Sequence, residues 1–221
     1  MFHHTHPYPP FIPANATKLI VGTLPPPRFT TGQLRPGDVD FCYGSRDGQL
    51  WPILETLFTL KLNYETNREA VRQRKRFLTE NNIGICDIVA SAKRDKIDAS
   101  DLGMKHVELR DMVSILEACP KVTTLLFTGG NSKNGPEYFF RKQLRTTGTP
   151  LKVVHKEVPR AHRFKLPKSG RAITTVSLTA PSGAANRAVG GMAAYKKMKA
   201  AFPHKTTIDF RVAQYRPYFI N

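Results

Sequence analysis

Short apolar runs that stop abruptly at glycine or proline alternate along this chain with segments whose apolar residues recur at helical spacing. That alternation is its strongest constraint. Lys18-Leu19-Ile20-Val21-Gly22-Thr23 is the first run, and Leu24-Pro25-Pro26-Pro27 ends it, because proline neither continues a ladder nor readily starts a helix there. Gly84-Ile85-Cys86-Asp87-Ile88-Val89 is a second strand candidate, interrupted by Asp87. Lys121 to Thr128 is the clearest, closed by Gly129-Gly130, and Leu151 to Val154 and Thr174 to Thr179 are β-branched runs. Between them, Leu50, Ile53, Leu54, Leu57 and Phe58 predict an amphipathic helix over about residues 51–60. Asn67 to Thr79 predicts another, with Arg68, Arg72, Arg74, Lys75 and Arg76 on a polar surface. Residues 108–118, Pro136 to Leu144 and Arg187 to Ala201 also read as helices, and Thr206 to Val212 as an added edge strand.

Strands and helices in alternation predict an α/β fold, a three-layer α/β/α sandwich around a mostly parallel sheet, as a single domain over residues 18–221. Residues 1–17, rich in Pro and His, read as an irregular lead-in draped over the core. His3, His4 and His6 have no acidic companion there and are not expected to hold a metal. Ligands of such folds sit beyond the carboxyl ends of the strands, so the informative residues should follow Thr23, Val89, Thr128 and Thr179.

Composition narrows the class. With 40% hydrophobic and 10% aromatic residues, the 221-residue chain can bury a substantial core, which argues against disorder. No run approaches the roughly 20 apolar residues of a membrane span, and the opening residues lack the shape of a secretion signal. Three cysteines without CxxC spacing suit a reducing compartment, and are too few for a four-cysteine cluster or zinc ribbon. A cytoplasmic or nuclear protein is expected. Net charge is +17 and uneven: residues 1–130 carry 16 basic and 14 acidic side chains, residues 131–221 carry 18 and 3. A polyanion is the natural partner, nucleic acid the commonest one. A basic protein that meets nucleic acid only incidentally has the same charge.

Several chemistries lack their motifs. There is no Gly-x-x-x-x-Gly-Lys-Ser/Thr, no Gly-x-Gly-x-x-Gly after the first strand, no Gly-x-Ser-x-Gly elbow, and no deaminase His-x-Glu with Pro-Cys-x-x-Cys. Asp38, Asp40 and Asp47 are the one local acidic group, in a glycine-rich stretch where Asp commonly forms turns. Three loops remain. They are Gly22-Thr23-Leu24-Pro25; Phe41-Cys42-Tyr43-Gly44-Ser45-Arg46-Asp47-Gly48-Gln49-Leu50-Trp51-Pro52; and Ala180-Pro181-Ser182-Gly183-Ala184-Ala185-Asn186-Arg187.

Together these loops resemble motifs of the uracil-DNA glycosylase superfamily, closest to its hypoxanthine-type and mismatch-specific uracil/thymine branches. The first is similar to the family's Gly-x-x-Pro after the opening strand. The second lines up with aromatic-Ala-His-Pro-x-Asn-x-Phe-Trp, with Tyr43 at the aromatic and Trp51 at the Trp. The third is similar to the Asn/His-Pro-Ser-Gly motif before the DNA-penetrating loop. Gly84 to Val89 with Ala90-Ser91-Ala92 resembles Gly-Ile-x-x-Asp-Val-x-Ala-Ser. The resemblance runs in order from about residue 18 to 200.

It implies an α/β/α enzyme that flips a deaminated base, uracil or hypoxanthine, out of single- or double-stranded DNA and hydrolyses its N-glycosidic bond. No metal or redox cofactor and no membrane enters, and a monomer is expected. Tyr43 or Phe41 would stack on the base, although core packing is the commoner fate of Phe41. The N–H groups of Gly22 and Thr23 would meet a base carbonyl, or simply make a tight turn. Asp87 would accept from a base N–H, donate to the base if buried and protonated, or simply cap the next segment, and Gly48 would join the base-binding residues. Pro181, Ser182 and Gly183 would hold phosphates, with Asn186 and Arg187 reaching the gap left by the base.

Three positions depart from the pattern. Leu24, Gly48 and Ala180 stand where the family places the polar groups that position water and polarise the leaving base. Asp47, next to the vacated Asn position, is the candidate for the attacking water, with Ser45 and Gln49 behind it; Asp47 before Gly48 equally suits a turn. A member of the fold that binds nucleic acid without chemistry is therefore the alternative, and a hydrolase of free nucleosides a weaker third. The basic residues from Arg141 to Arg171 and Lys196 to Lys205 are expected to grip a nucleic-acid backbone.

Overall fold

Leu19, Ile20 and Val21 are each fully buried, as in a strand covered on both faces, and the layers follow from that one segment. The computed structural model describes residues 1–220. Its strands are β1 (Phe2–Thr5), β2 (Lys18–Val21), β3 (Ile83–Ile85), β4 (Val89–Arg94), β5 (Lys105–Leu109), β6 (Thr124–Phe127), β7 (Lys152–His155), β8 (Arg160–Lys165) and β9 (Ala172–Ser177). Its helices are α1 (Pro27–Thr30), α2 (Leu50–Phe58), α3 (Arg68–Glu80), α4 (Met112–Ala118), α5 (Pro136–Thr146), α6 (Asn186–Gly191), α7 (Ala193–Ala201) and α8 (Thr207–Phe219).

The central sheet has the order β3-β2-β6-β9-β8-β7, parallel through the first four and antiparallel over the last two. Alternate residues of the parallel strands feed two cores. Ile20, Leu126 and Val176 join α2, α3 and α8 on one face. Leu19, Val21, Leu125 and Phe127 join α4 and α5 on the other. This is the three-layer α/β/α sandwich with a mostly parallel sheet that the alternation predicts. Among the described residues, no helix is long and apolar enough to cross a membrane.

Several elements differ from the sequence reading, each for a tertiary reason. The lead-in is not wholly irregular: β1 pairs antiparallel with β4, and β4 with β5, as a separate three-stranded sheet. Its alternation buries His4, a polar residue that scores poorly as strand core. The run Gly84 to Val89 is divided, since β3 ends at Ile85 and Val89 opens β4 in the second sheet. Residues 105–109 are strand, and the helix starts only after Asp111, whose side chain accepts from the Ser114 N–H. Arg74 does not lie on the polar surface of α3. It is buried against Trp51 and Tyr64, at 5.2 and 5.0 Å from their ring centres. The helix expected over residues 187–201 breaks at Met192, which takes extended backbone angles after Gly190-Gly191. Thr206 to Val212 is not an edge strand but the start of α8.

Candidate functional site

The four parallel strands end on one side, where residues 22–49 and 178–186 meet over a cavity of about 370 Å³. Gly22, Thr23, Tyr43, Asp47, Gly48, Asp87, Pro181, Ser182 and Gly183 all line it, so the structure gathers most residues that the sequence singles out. They come from four stretches of chain, brought together by parallel pairing of β2 with β3 and β6, and of β6 with β9.

Asp87 is the buried centre of the floor. Its Oδ1 accepts from the Gly22 N–H at 2.9 Å, and its Oδ2 meets His6 Nε2 at 2.9 Å. The Tyr8 N–H donates to His6 Nδ1 at 3.1 Å, so Nδ1 is the acceptor nitrogen and Nε2 carries the proton that goes to Asp87. This tautomer is assigned from the hydrogen-bond network. Asp87 thus meets two donors, with acceptor capacity left for the cavity. Gly22 lines the cavity, but its N–H is committed to Asp87 and its carbonyl accepts from Ile88. It fixes the carboxylate and does not present a donor to a ligand, which corrects the role expected of it.

Tyr43 takes the left-handed backbone region, at φ 57°, and its ring reaches back over Gly22. Its hydroxyl lies 2.9 Å from Thr128 Oγ1, which can itself donate to the Val21 carbonyl at 3.3 Å. Burial, then the nearby charge of Asp87, pushes the phenol well above its ordinary pKa, so it stays protonated. Phe41 is not in the cavity. It is buried among Tyr8, Phe11 and Trp51, with ring centres 6.0 to 6.4 Å away, and is a core residue.

The second loop is built around Asp38, which is fully buried. Arg28 Nε and Nη2 donate to its two oxygens at 2.7 and 2.8 Å, and the N–H groups of Arg35 and Arg46 add two more bonds. Burial alone would raise this carboxyl, but the four donors outweigh it and bring it down to about 2. Arg28 also reaches Ser45 Oγ at 2.8 Å and Asp47 Oδ2 at 3.5 Å. Asp47 itself stands on the rim, its side chain 69% exposed.

The third loop is tied to the second. Gly48 and Ser182 form an antiparallel bridge, and the Gln49 N–H donates to the Pro181 carbonyl at 2.9 Å. Buried Arg211 of α8 spans both, donating to Gln49 Oε1 and Asn186 Oδ1 at 2.9 Å and to the Ser182 carbonyl at 3.3 Å. Asn186 therefore faces inward, also accepting from Thr207 Oγ1 at 3.1 Å, and is a structural residue where the sequence suggested DNA contact. Arg187 is exposed on α6 but does not line the cavity. With six residues and no side-chain cap, α6 offers little helix dipole beside this loop.

Two residues on this side were not legible in sequence. His6 is one; Asp101 is the other, on a single 3₁₀ turn (Asp101–Gly103) between β4 and β5. Thr23 Oγ1 donates to its Oδ1 at 2.8 Å. Burial raises the Asp101 carboxyl to about 6, with the Thr23 bond and Arg94 opposing and Asp87 adding to the rise. Asp101 also lines an adjoining cavity of about 360 Å³ that contains Arg160, Ser177 and Met192. Beneath that cavity, buried Glu137 accepts from Ser177 at 2.7 Å and from Arg160 and Arg141 at 2.8 Å. Burial opposes these bonds, yet they leave its carboxyl below the usual range. Arg141 and Arg160 are thus largely committed to structure. So is Arg171, which donates to the carbonyls of Cys119 and Leu116. Of the basic residues in the stretch 141–171, Lys142, Arg145, Arg163 and Lys165 are among those exposed.

Among the described residues, no three His, Cys, Asp or Glu side chains group as a metal site; His4 and His6 are bonded to Arg94 and Asp87. No family model and no curated protein matches the chain. The fold is similar to the solution NMR structure of a "putative Uracil DNA glycosylase" from Methanosarcina acetivorans, with a TM-score of 0.54. At 18% identity over 92% of this chain and 98% of that one, the likeness establishes a shared fold.

Proposed function

We propose that this protein is a monofunctional DNA glycosylase that removes a deaminated base, uracil or hypoxanthine, of the kind handled by the hypoxanthine-type and mismatch-specific branches. The observation that carries this reading is the cavity at the strand ends with Asp87 fixed on its floor by Gly22 and His6. Deamination changes the edge of a base in one specific way. Cytosine N3 and adenine N1 are acceptors, whereas uracil N3 and hypoxanthine N1 carry a hydrogen. A fixed carboxylate accepts from that N–H and repels the lone pair of the parent base, a mismatch of about 1–3 kcal/mol for the unsatisfied group. The volume of about 370 Å³ lies in the ordinary range for small-molecule sites.

The remaining groups fit a flipped nucleotide. Tyr43 presents an aromatic wall beside Asp87, and Pro181-Ser182-Gly183 on the rim lies where backbone phosphates would run. C–N cleavage passes through an oxocarbenium-like species, for which DNA phosphates and the cavity carboxylates supply negative charge. Leu24, Gly48 and Ala180 all line this cavity, which is the specific observation that favours the second reading, a binder without chemistry.

The test is to incubate the protein with single- and double-stranded oligonucleotides bearing uracil, hypoxanthine, xanthine or mismatched thymine, followed by alkali. Strand breaks at uracil or hypoxanthine are expected. Salt-dependent binding with no break on any substrate would establish the binder instead.

A further inference from the structure

Asp101 is the carboxylate that the two adjoining cavities share; Asp47 and Asp87 line only one. Its place is fixed from several sides. Thr23 Oγ1 holds Oδ1 at 2.8 Å, and buried Asn134 donates through Nδ2 to the carbonyls of Asp101 and Met104 at 2.8 and 3.1 Å. Buried Arg94, which donates to His4 Nδ1 at 2.8 Å, holds the preceding Ser100 carbonyl at 2.5 Å. Oδ2 has no hydrogen bond among the described residues and is free to hold water. Thr23 directly precedes Leu24, the position at which the resembling family carries a polar water-binding group. Asp101 thus stands beside Thr23 although it lies 78 positions further along the chain.

We propose that Asp101 is the catalytic base of the hydrolysis, its Oδ2 orienting the water that attacks the sugar. The inference rests on the glycosylase reading. As the water oxygen bonds to C1′, the C1′–N bond breaks and its electron pair leaves on the base nitrogen. The water proton passes to Asp101, which returns it to the departed base directly or through solvent. The sum is one water consumed, with base and abasic sugar released.

The other carboxylates are less suited. Asp87 is taken up by the base N–H on the same reading, and Asp47 stands in solvent beside Arg28. The charged groups acting on Asp101 are Arg94, which is 3.6 Å from Asp98, and Asp87. Their balance with burial keeps the carboxyl at about 6, so it is ionised at neutral pH yet basic enough to take a proton.

The experiment is single-turnover base release from an oligonucleotide that the wild type cleaves, across pH 4.5 to 8, with Asp101→Asn and Asp47→Ala compared. Asp101→Asn is expected to lower the rate by about 10²–10⁴-fold. It should abolish the rise in rate through pH ~6 while leaving oligonucleotide affinity and melting temperature near wild type. A larger loss in Asp47→Ala, or a rising pH limb retained in Asp101→Asn, overturns the proposal and leaves the glycosylase standing. A wild type that releases no base from any substrate removes the glycosylase reading, and the Asp101 proposal with it.

Discussion

A Cβ at position 22 would overlap the Tyr43 hydroxyl and come within 2.8 Å of Asp87 Oδ1, so these side chains would have to shift. Gly22→Ala should therefore cost about 1–3 kcal/mol, seen as a lower melting temperature, and should abolish base release by displacing both groups. His6 acts through Asp87. In His6→Ala the carboxylate loses a donor, and affinity for free uracil or hypoxanthine should fall about tenfold, near 1.4 kcal/mol. Affinity for undamaged duplex should not change, and titration calorimetry with base and with duplex separates the two. Equal loss of both would make His6 a merely structural residue. Asp87 and the 181–183 loop were legible in sequence because they follow strand ends, where the fold itself says to look; Tyr43, in a loop between two helices, was legible only through the motif that its loop resembles. His6 and Asp101 were not, because their partners lie 81 and 78 positions away and neither sits in a pattern that periodicity can detect.

At the scale of elements, local signals succeeded where they agreed with burial and failed where two signals conflicted. Ile208, Phe210 and Val212 alternate like a strand, but Thr206 and Asp209 form a reciprocal capping box, and Tyr215 and Phe219 continue the buried face of a helix. The cap was readable and the alternation misled. The turn-forming nature of Asp38 was legible too, but not that it would anchor Arg28 and two backbone N–H groups in a loop without regular structure. Asp38→Asn leaves the buried side of Arg28 uncompensated and should destabilise the protein by about 3 kcal/mol. The sign of its pH dependence follows from a carboxyl held at about 2 in the folded chain against 3.8 for the free group. Its stabilisation is complete above pH ~4 and disappears as pH falls through ~2. Acid unfolding followed by circular dichroism should show that loss in wild type and a flatter profile in Asp38→Asn.

For the molecule as a whole, the charge asymmetry is real but smaller in effect than its count. Arg141, Arg160, Arg171 and Arg211 belong to buried or half-buried networks, so the field available to a polyanion comes from exposed residues such as Lys142, Arg163, Lys165, Lys196 and Lys197. Replacing Lys196 and Lys197 by Gln should weaken DNA binding uniformly across sequences. The salt-dependence slope should fall by about 0.9 for each phosphate that is no longer neutralised, measured by fluorescence anisotropy at several salt concentrations. A slope identical to wild type would place the DNA path elsewhere. The bridge between Gly48 and Ser182, clamped by Arg211, bears on how such a partner is admitted. The two rim loops are thereby joined to each other beside the cavity. On the glycosylase reading, the work of entry falls on the nucleic acid. Lesions that unstack easily, at mismatches or in single strands, would be processed fastest, and selection would begin in the stacking of the DNA before any side chain meets the base.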